Sequence, residues 1–318
     1  MSIHENITHR WTTIILILVT LHLVGIHLAL GLRWEHIAGN ALLVGLALCG
    51  VRGRHFTQLV LPLWLTGVAY EAFHFFEPLR GPIRVDELYF LELNWFGIQT
   101  ENGVTLTPAA FLQQYTHPVL DFITGLAYIV YLILPVVIAF ALFFIDKRRM
   151  AQLTWSIFLV SLMGMATYLA YPAAPPWYVD AYGLGPAQLD AAPDPAGAAR
   201  FDALIGVPFF EGFYSRSSNV FGAMPSLHVA FPAVLAASVW GLGMKWGLST
   251  LAFALLVGFS AVYLNHHYLW DLIVGYGYAI LAWLLVSFLL SVHGKWRAGA
   301  PPPGGAGHEF EQTETDTG

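Results

Sequence analysis

Apolar residues run along this chain in long, unbroken blocks, and polar residues are confined to the gaps between them. One helical crossing of a bilayer needs about 20 such residues. Eight blocks approach that length: 11–31, 36–51, 56–76, 119–145, 152–171, 227–244, 247–265 and 270–292. The second is the shortest. Only Gly243-Met244-Lys245-Trp246-Gly247 parts the sixth block from the seventh, which predicts a tight helical hairpin. The short alternating strands of a transmembrane barrel are not the pattern seen. The expected fold is therefore all-α, a polytopic transmembrane helical bundle of about eight spans.

The gaps have their own character. Residues 77–118 place Glu77, Asp86, Glu87, Glu92 and Glu101 among Leu91, Trp95 and Phe96, which predicts one or two helices lying on the membrane surface. Residues 172–226 are rich in Pro, Ala, Gly and Asp, and ordered loops of such length are usually functional. The end from 293 to 318, with Pro301-Pro302-Pro303-Gly304-Gly305 followed by Glu309, Glu311, Glu314 and Asp316, reads as a disordered tail. Arg10 ahead of Trp11–Leu30 resembles a secretion signal, but no small-x-small cleavage site follows, so the block is read as a retained first helix. No repeat of fixed period appears.

Composition agrees with the pattern. Apolar residues make up 57% of the chain and charged residues 11%, against about 25% charged in soluble domains. Mean hydropathy is +0.62. The net charge of -6 comes from acids gathered in loops and tail, and there is no basic footprint for nucleic acid. Cys49, the one cysteine, lies in an apolar run, which suggests a small core residue. Lysine and arginine set the orientation. With the N-terminus inside, nine fall on the cytoplasmic side (Arg10, Arg52, Arg54, Lys147, Arg148, Arg149, Lys245, Lys295, Arg297). Five fall outside: Arg33, Arg80, Arg84, Arg200 and Arg216. Both termini are thus expected in the cytoplasm, with 77–118 and 172–226 on the extracytoplasmic face.

Two stretches on that face carry candidate chemistry. In Phe221-Gly222-Ala223-Met224-Pro225-Ser226-Leu227-His228, Pro225 favours a helix start and Ser226 is a preferred N-cap residue. Unbonded N–H groups at such a helix end attract phosphate, and His228 in the first turn is placed to pass a proton. An isolated Pro-Ser-x-His is more often just a capped helix. In His266-His267-Tyr268-Leu269-Trp270-Asp271, His267 and Asp271 are four apart, on one face if helical. An aspartate that fixes the tautomer of one imidazole nitrogen leaves the other basic, able to attack phosphorus. Alone, the pair serves equally well as an anchor for the helix end. His266 points elsewhere and reads as an interfacial residue or a substrate contact.

Together the stretches resemble the type 2 phosphatidic acid phosphatase (PAP2) superfamily. Its Pro-Ser-Gly-His motif matches Pro225-Ser226-Leu227-His228 with Leu for Gly. Its Ser-Arg-x5-His-x3-Asp motif matches Ser260-Ala261-x5-His267-x3-Asp271 with Ala for Arg. Its Lys-x6-Arg-Pro motif has no match. These departures, with Tyr171-Pro172-Ala173-Ala174-Pro175-Pro176-Trp177-Tyr178, are similar to the Aur1-type inositol phosphorylceramide synthases and their bacterial relatives. The resemblance implies a six-helix catalytic membrane domain over 56–292, with residues 1–55 as added helices. It also implies His267 as nucleophile, Asp271 as its partner and His228 as acid and base.

The implied function is a membrane phosphotransferase that moves an inositol-phosphate-like headgroup between lipids through a phosphohistidine. The partners would be a phospholipid donor and a lipid alcohol acceptor. Water as acceptor would make it a lipid phosphatase. No metal-ligand cluster or cofactor motif is seen. A phosphoryl site also needs cations. Arg216, close to the Ser226 turn, is the first candidate and Arg80 the second, with Arg84 and Arg200 behind; Ser226 adds a hydroxyl. Trp177 and Tyr178 read as interfacial anchors. Glu71 and His74, near the outer end of the third block, read as neighbours of the site or as polar residues satisfied within the bundle. Two readings of another class are a haem protein using His22, His27, His36, His55, His74 or His117, and a transporter or flippase with a histidine proton relay.

Overall fold

The apolar blocks become long helices in the computed structural model, which describes residues 3–29, 31–215 and 219–299. Helices α1 (Ile3–Ala29), α2 (Trp34–Leu48) and α3 (Gly50–Phe73) come first, and a 3-10 turn (His74–Leu79) ends α3. Then follow α4 (Asp86–Phe96), a hairpin of β1 (Ile98–Gln99) and β2 (Thr105–Leu106), and α5 (Pro108–Gln113). Helices α6 (Pro118–Ile145) and α7 (Lys147–Ala170) form an antiparallel pair. The long loop holds α8 (Pro176–Tyr182), α9 (Ala199–Ile205) and α10 (Phe209–Tyr214), and the chain closes with α11 (Leu227–Val239), α12 (Met244–Tyr263) and α13 (Leu269–Gly299).

Six of the described helices are long and apolar enough to cross a membrane, rather than the eight expected. The second and sixth blocks fall short. Helix α2 has 15 residues, about 22 Å at 1.5 Å per residue, against a hydrocarbon core of about 30 Å. Helix α11 is shorter still, and a 3-10 turn extends it only to Leu242. The reason is its place. It packs against α6, α7, α12 and α13, and nearly every residue from Leu227 to Val239 is buried. A helix apolar all round and walled by protein is a core element, so it need not match the bilayer.

Helix α3 packs along α7, while α1 and α2 lean on α3 through a separate small core of Ile15, Val19, Leu43 and Ala47. Cys49 is not in any core. It is exposed at the corner where α2 stops and α3 starts, next to Gly50 with φ +72. Residues 77–118 hold the helices α4 and α5 and add the hairpin, whose turn carries Asn102-Gly103 with Gly103 at φ +76. Where the tail was expected from 293, α13 continues through 293–299, and 300–318 lie outside the described residues.

Three extended stretches tie the loops together. Ala173 bridges Arg84 on one side and Gly222 on the other. Four backbone bonds hold the join: Arg84 N to Pro172 O, Ala174 N to Arg84 O, Ala173 N to Phe221 O and Ala223 N to Ala173 O, at 2.8–3.2 Å. Trp177 and Tyr178, read as interfacial anchors, pack instead into a core above the helices with Val85, Ala174, Val179 and Phe221. The Tyr178 hydroxyl accepts from Gln188 N at 2.7 Å. The Tyr171–Tyr178 stretch thus fastens the strand that leads into Ser226.

Candidate active site

The start of α11 and the α12–α13 turn meet at one end of the bundle. Ser226 is at the N-cap position of α11, as its sequence suggests, but its hydroxyl makes no capping bond. Its Oγ is buried and has no hydrogen-bond partner among the described residues. Its backbone N–H donates to the Asp271 carbonyl at 2.9 Å, which locks the two motifs together. Tyr168 on α7 donates to Pro225 O at 2.8 Å from below. A Cβ on Gly275 would run into the Ser226 carbonyl, so only glycine lets α13 approach this closely. Tyr168→Phe leaves the Pro225 carbonyl buried without a donor, and thermal unfolding should show a loss of about 1–3 kcal/mol.

His267 and Asp271 do meet, but not along a helical face. Helix α12 ends at Tyr263 and α13 begins at Leu269, so His266 and His267 lie in the turn between them. Asp271, in the first turn of α13, reaches back. Its Oδ2 accepts from the Tyr268 N–H at 2.8 Å and from Nδ1 of His267 at 3.2 Å. A carboxylate only accepts, so His267 carries its proton on Nδ1 and a lone pair on Nε2. That lone pair faces Nδ1–H of His228 at 2.9 Å. The result is one chain, His228 to His267 to Asp271, with His267 and Asp271 buried. Such a chain can hold one nucleophilic nitrogen, orient it, and place a donor proton beside it.

Aromatic rings fix the histidines. His228 stacks on Tyr128 at 4.6 Å between centroids and touches Tyr131 at 5.0 Å. Tyr128, Tyr131, Leu132, Phe209, Phe210, Phe213, Tyr214 and His228 line a small apolar cavity between α6 and α10. His266 is neither interfacial nor free. It stacks on Tyr214 at 4.7 Å, and its Nε2–H donates to Pro195 O at 3.0 Å. Burial, reinforced by the neighbouring His267, lowers its pKa to about 3, so it stays neutral.

Glu92 is a site residue that the sequence reading passed over as one acid among several. It is fully buried, and its two oxygens accept from the N–H groups of Leu269 and Trp270 at 2.8 and 3.3 Å, capping the helix that bears Asp271. The available signal was its register: Leu88 and Glu92 are four apart and are the buried residues of α4. Burial raises the Glu92 pKa to about 7, and Asp271 adds to this against the two backbone donors. The folded protein therefore binds more protons than the unfolded one between about pH 4.5 and 7. This contribution to stability is complete below pH 4.5 and is lost as pH rises through 7. Glu92→Gln keeps a carbonyl oxygen for the cap, and Tm should fall less across that window than in the wild type. Equal slopes would assign the effect to another group.

The family model of the PAP2 superfamily matches residues 98–285, more than half of the chain, including Ser226, His228, His267 and Asp271. The chain belongs to the PAP2 superfamily. It is 33% identical over 289 residues, 89% of this chain and 94% of the relative, to a phosphoinositol dihydroceramide synthase of Bacteroides thetaiotaomicron. It is 30% identical over 215 residues to the inositol phosphorylceramide synthase catalytic subunit aur1 of Schizosaccharomyces pombe, and 34% over 134 residues to that of Saccharomyces cerevisiae. These cover 67% and 42% of this chain but 49% and 33% of the fungal proteins. No solved structure matches. The chain is an integral membrane enzyme, a lipid phosphotransferase or phosphatase of this superfamily.

The PAP2 site leaves its cation to be found. Arg216 lies outside the described residues. Arg200 is taken up in structure: it donates to Asp121 Oδ1 at 2.6 Å and Gln113 Oε1 at 3.0 Å and covers the Tyr263 ring. Arg84 pairs with Glu87. Arg80 is half-buried over the ring of Phe221, at 5.5 Å, and makes no ion pair among the described residues. His74 is half-exposed, 3.8 Å from Glu77. Glu71 belongs elsewhere: it accepts from His22 at 2.8 Å and His36 at 2.7 Å, with Arg33 at 3.6 Å, a polar knot joining α1, α2 and α3.

Proposed function

We propose that this enzyme transfers an inositol-phosphoryl headgroup from a phospholipid to the hydroxyl of a ceramide-like lipid, through a phosphohistidine on His267. The observation that carries the reading is the continuous chain from His228 to His267 to Asp271. In the resting arrangement His228 covers the His267 lone pair. As phosphorus approaches Nε2, His228, doubly protonated beside the bound phosphate, releases its Nδ1–H to the departing diacylglycerol oxygen and is left as neutral imidazole. Nε2–P forms, O–P breaks, and the proton leaves with the alcohol. His228, now with a free Nδ1, takes the proton of the acceptor hydroxyl, whose oxygen attacks phosphorus and returns His267. Asp271 stabilises the charge that develops on the ring. The unpartnered Ser226 hydroxyl, Arg80, and Arg216 of the same loop are assigned to the phosphate oxygens.

Transfer is favoured over hydrolysis by the setting. The trio lies behind Tyr128, Tyr131 and the aromatic face of α10, an apolar wall that limits the access of water to His228. The names of the relatives point the same way. The distribution of lysine and arginine supports both termini in the cytoplasm and the site on the extracytoplasmic face. We infer a catalytic domain over 56–292 with 1–55 as added helices, on the ground that α1 and α2 have a small core of their own against α3.

The test is acceptor dependence. Full-length protein in vesicles with headgroup-labelled phosphatidylinositol should move label to ceramide, and should release little to water when ceramide is omitted. Release of inositol phosphate at the same rate with and without ceramide would instead make it a phosphatase.

A further inference from the structure

Two tyrosines of α6 wall the histidine that passes the proton. Tyr128 and Tyr131 stand three apart, so their side chains share one face of that helix. Both are buried, and both rings meet His228 at the start of α11. The Tyr128 ring lies nearly parallel to the imidazole, with 10° between planes and 4.6 Å between centroids. The Tyr131 ring is tilted by 51° at 5.0 Å. The Tyr128 hydroxyl is buried with no partner among the described residues, so what Tyr128 offers His228 is its ring face.

The two tasks of His228 need two protonation states. It carries two ring protons to serve as acid, then one to serve as base. Its setting works against the first. Leu132, Phe209, Phe210 and Phe213 complete the cavity beside it with the two tyrosines, and apolar walls disfavour a charged imidazole. The titratable groups that face it are Tyr128 and Tyr131 of α6, Tyr214 of α10 across the cavity, and His266 and His267 of the α12–α13 turn. Tyr168 of α7 is taken up by Pro225 O. Asp271 reaches His228 only through His267. Besides the phosphate itself, a positive ring here finds the faces of aromatic rings. A cation within about 6 Å of a ring centroid is attracted by the π-electrons, most strongly where water is excluded. Both tyrosine rings lie inside that distance.

We propose that Tyr128, aided by Tyr131, is a positioning residue of the transfer, whose ring holds His228 in place and favours its doubly protonated, proton-donating form. The inference rests on the reading of His228 as the acid of the first step. In that step the ring gives one proton to the departing diacylglycerol oxygen, and the neutral ring that remains still stacks. The contact thus favours the acid without preventing the return to base.

The test separates ring from hydroxyl and charge from packing. Full-length wild type, Tyr128→Phe and Tyr128→Leu are compared in vesicles with phosphatidylinositol labelled in its diacylglycerol. Ceramide is withheld, and single-turnover release of diacylglycerol is followed against pH. Release needs the protonated acid, so it falls as pH rises through the pKa of His228 in the complex. In Tyr128→Leu the midpoint of that fall should lie about one pH unit lower than in the wild type. In Tyr128→Phe it should stay at the wild-type value. A Tyr128→Leu rate lowered by the same factor at every pH, with the midpoint unmoved, would make Tyr128 a packing residue and overturn the proposal. A midpoint displaced as far in Tyr128→Phe would overturn it too. If Tyr128→Leu does not fold, Tyr131→Leu should move the midpoint the same way by a smaller amount, and no movement would count against the proposal. NMR of protein carrying isotope-labelled histidine, with inorganic phosphate present, reads the His228 titration without turnover, its signal being the one lost in His228→Gln. The same order of midpoints is expected. Midpoints in that order with no diacylglycerol released by the wild type would sink the transferase reading and leave the stack standing.

Discussion

His267→Gln is expected to reduce headgroup transfer by roughly a million-fold, the scale on which enzymes lose rate when a covalent nucleophile is removed. Glutamine is the informative replacement. His267 is buried between Asp271 and His228, and alanine would leave a buried carboxylate without its partner, at a cost of about 3–5 kcal/mol. A glutamine amide still donates to Asp271 and fills most of the space, so Tm should change little. Its oxygen and nitrogen are poor nucleophiles towards phosphorus. Transfer is measured with labelled phosphatidylinositol and ceramide. If His267→Gln retained more than a small fraction of wild-type rate while folded, His267 would not be the attacking group.

Asp271→Asn is expected to cost roughly ten-thousand-fold, as in the comparable change in a serine protease triad. The cause is the lost charge. One oxygen of Asp271, Oδ2, accepts from both the Tyr268 N–H and Nδ1 of His267, so an asparagine oxygen in that place keeps both bonds and the start of α13 should hold. A neutral amide no longer stabilises the positive charge that develops on the His267 ring as Nε2 bonds phosphorus. Circular dichroism and Tm close to wild type with transfer near background is the predicted result. Asp271→Glu should do better than Asp271→Asn, since it keeps a carboxylate. The opposite ranking would mean that Asp271 serves the helix end and not the ring.

The parts of this molecule legible in its sequence are those fixed by local pattern. Long apolar blocks gave their helices away, and Pro225-Ser226-x-His228 and His267-x3-Asp271 pointed to the candidate site because each is short and contiguous. Long-range packing was hidden. Block length could not distinguish α11, sheathed by four helices, from a helix facing lipid. Spacing placed His267 and Asp271 together for the wrong reason, since a turn and a reaching carboxylate achieve what a helical face was expected to do. Arg200 looked like a free cation until Asp121 and Gln113, distant in sequence, were beside it. Glu92 is the clearest miss. Its function as a cap depends on α13, about 180 residues later in the chain. Cys49 shows the reverse error: an apolar neighbourhood in sequence became an exposed corner in space.

The central claim is a covalent step on His267, and it is most directly tested by trapping it. His228→Ala removes the proton donor and acceptor, each worth about 10²–10⁴ in rate, and should slow the second half of the reaction enough for intermediate to accumulate when ceramide is withheld. Protein incubated with phosphatidylinositol labelled in its phosphate, then quenched in alkali and digested, should carry label on the peptide containing His267. The label should be lost in mild acid, as expected of a P–N bond, and should be absent from His228→Ala/His267→Gln. Transfer by the wild type with no label on any histidine under these conditions, or label that persists when His267 is replaced, would contradict the account.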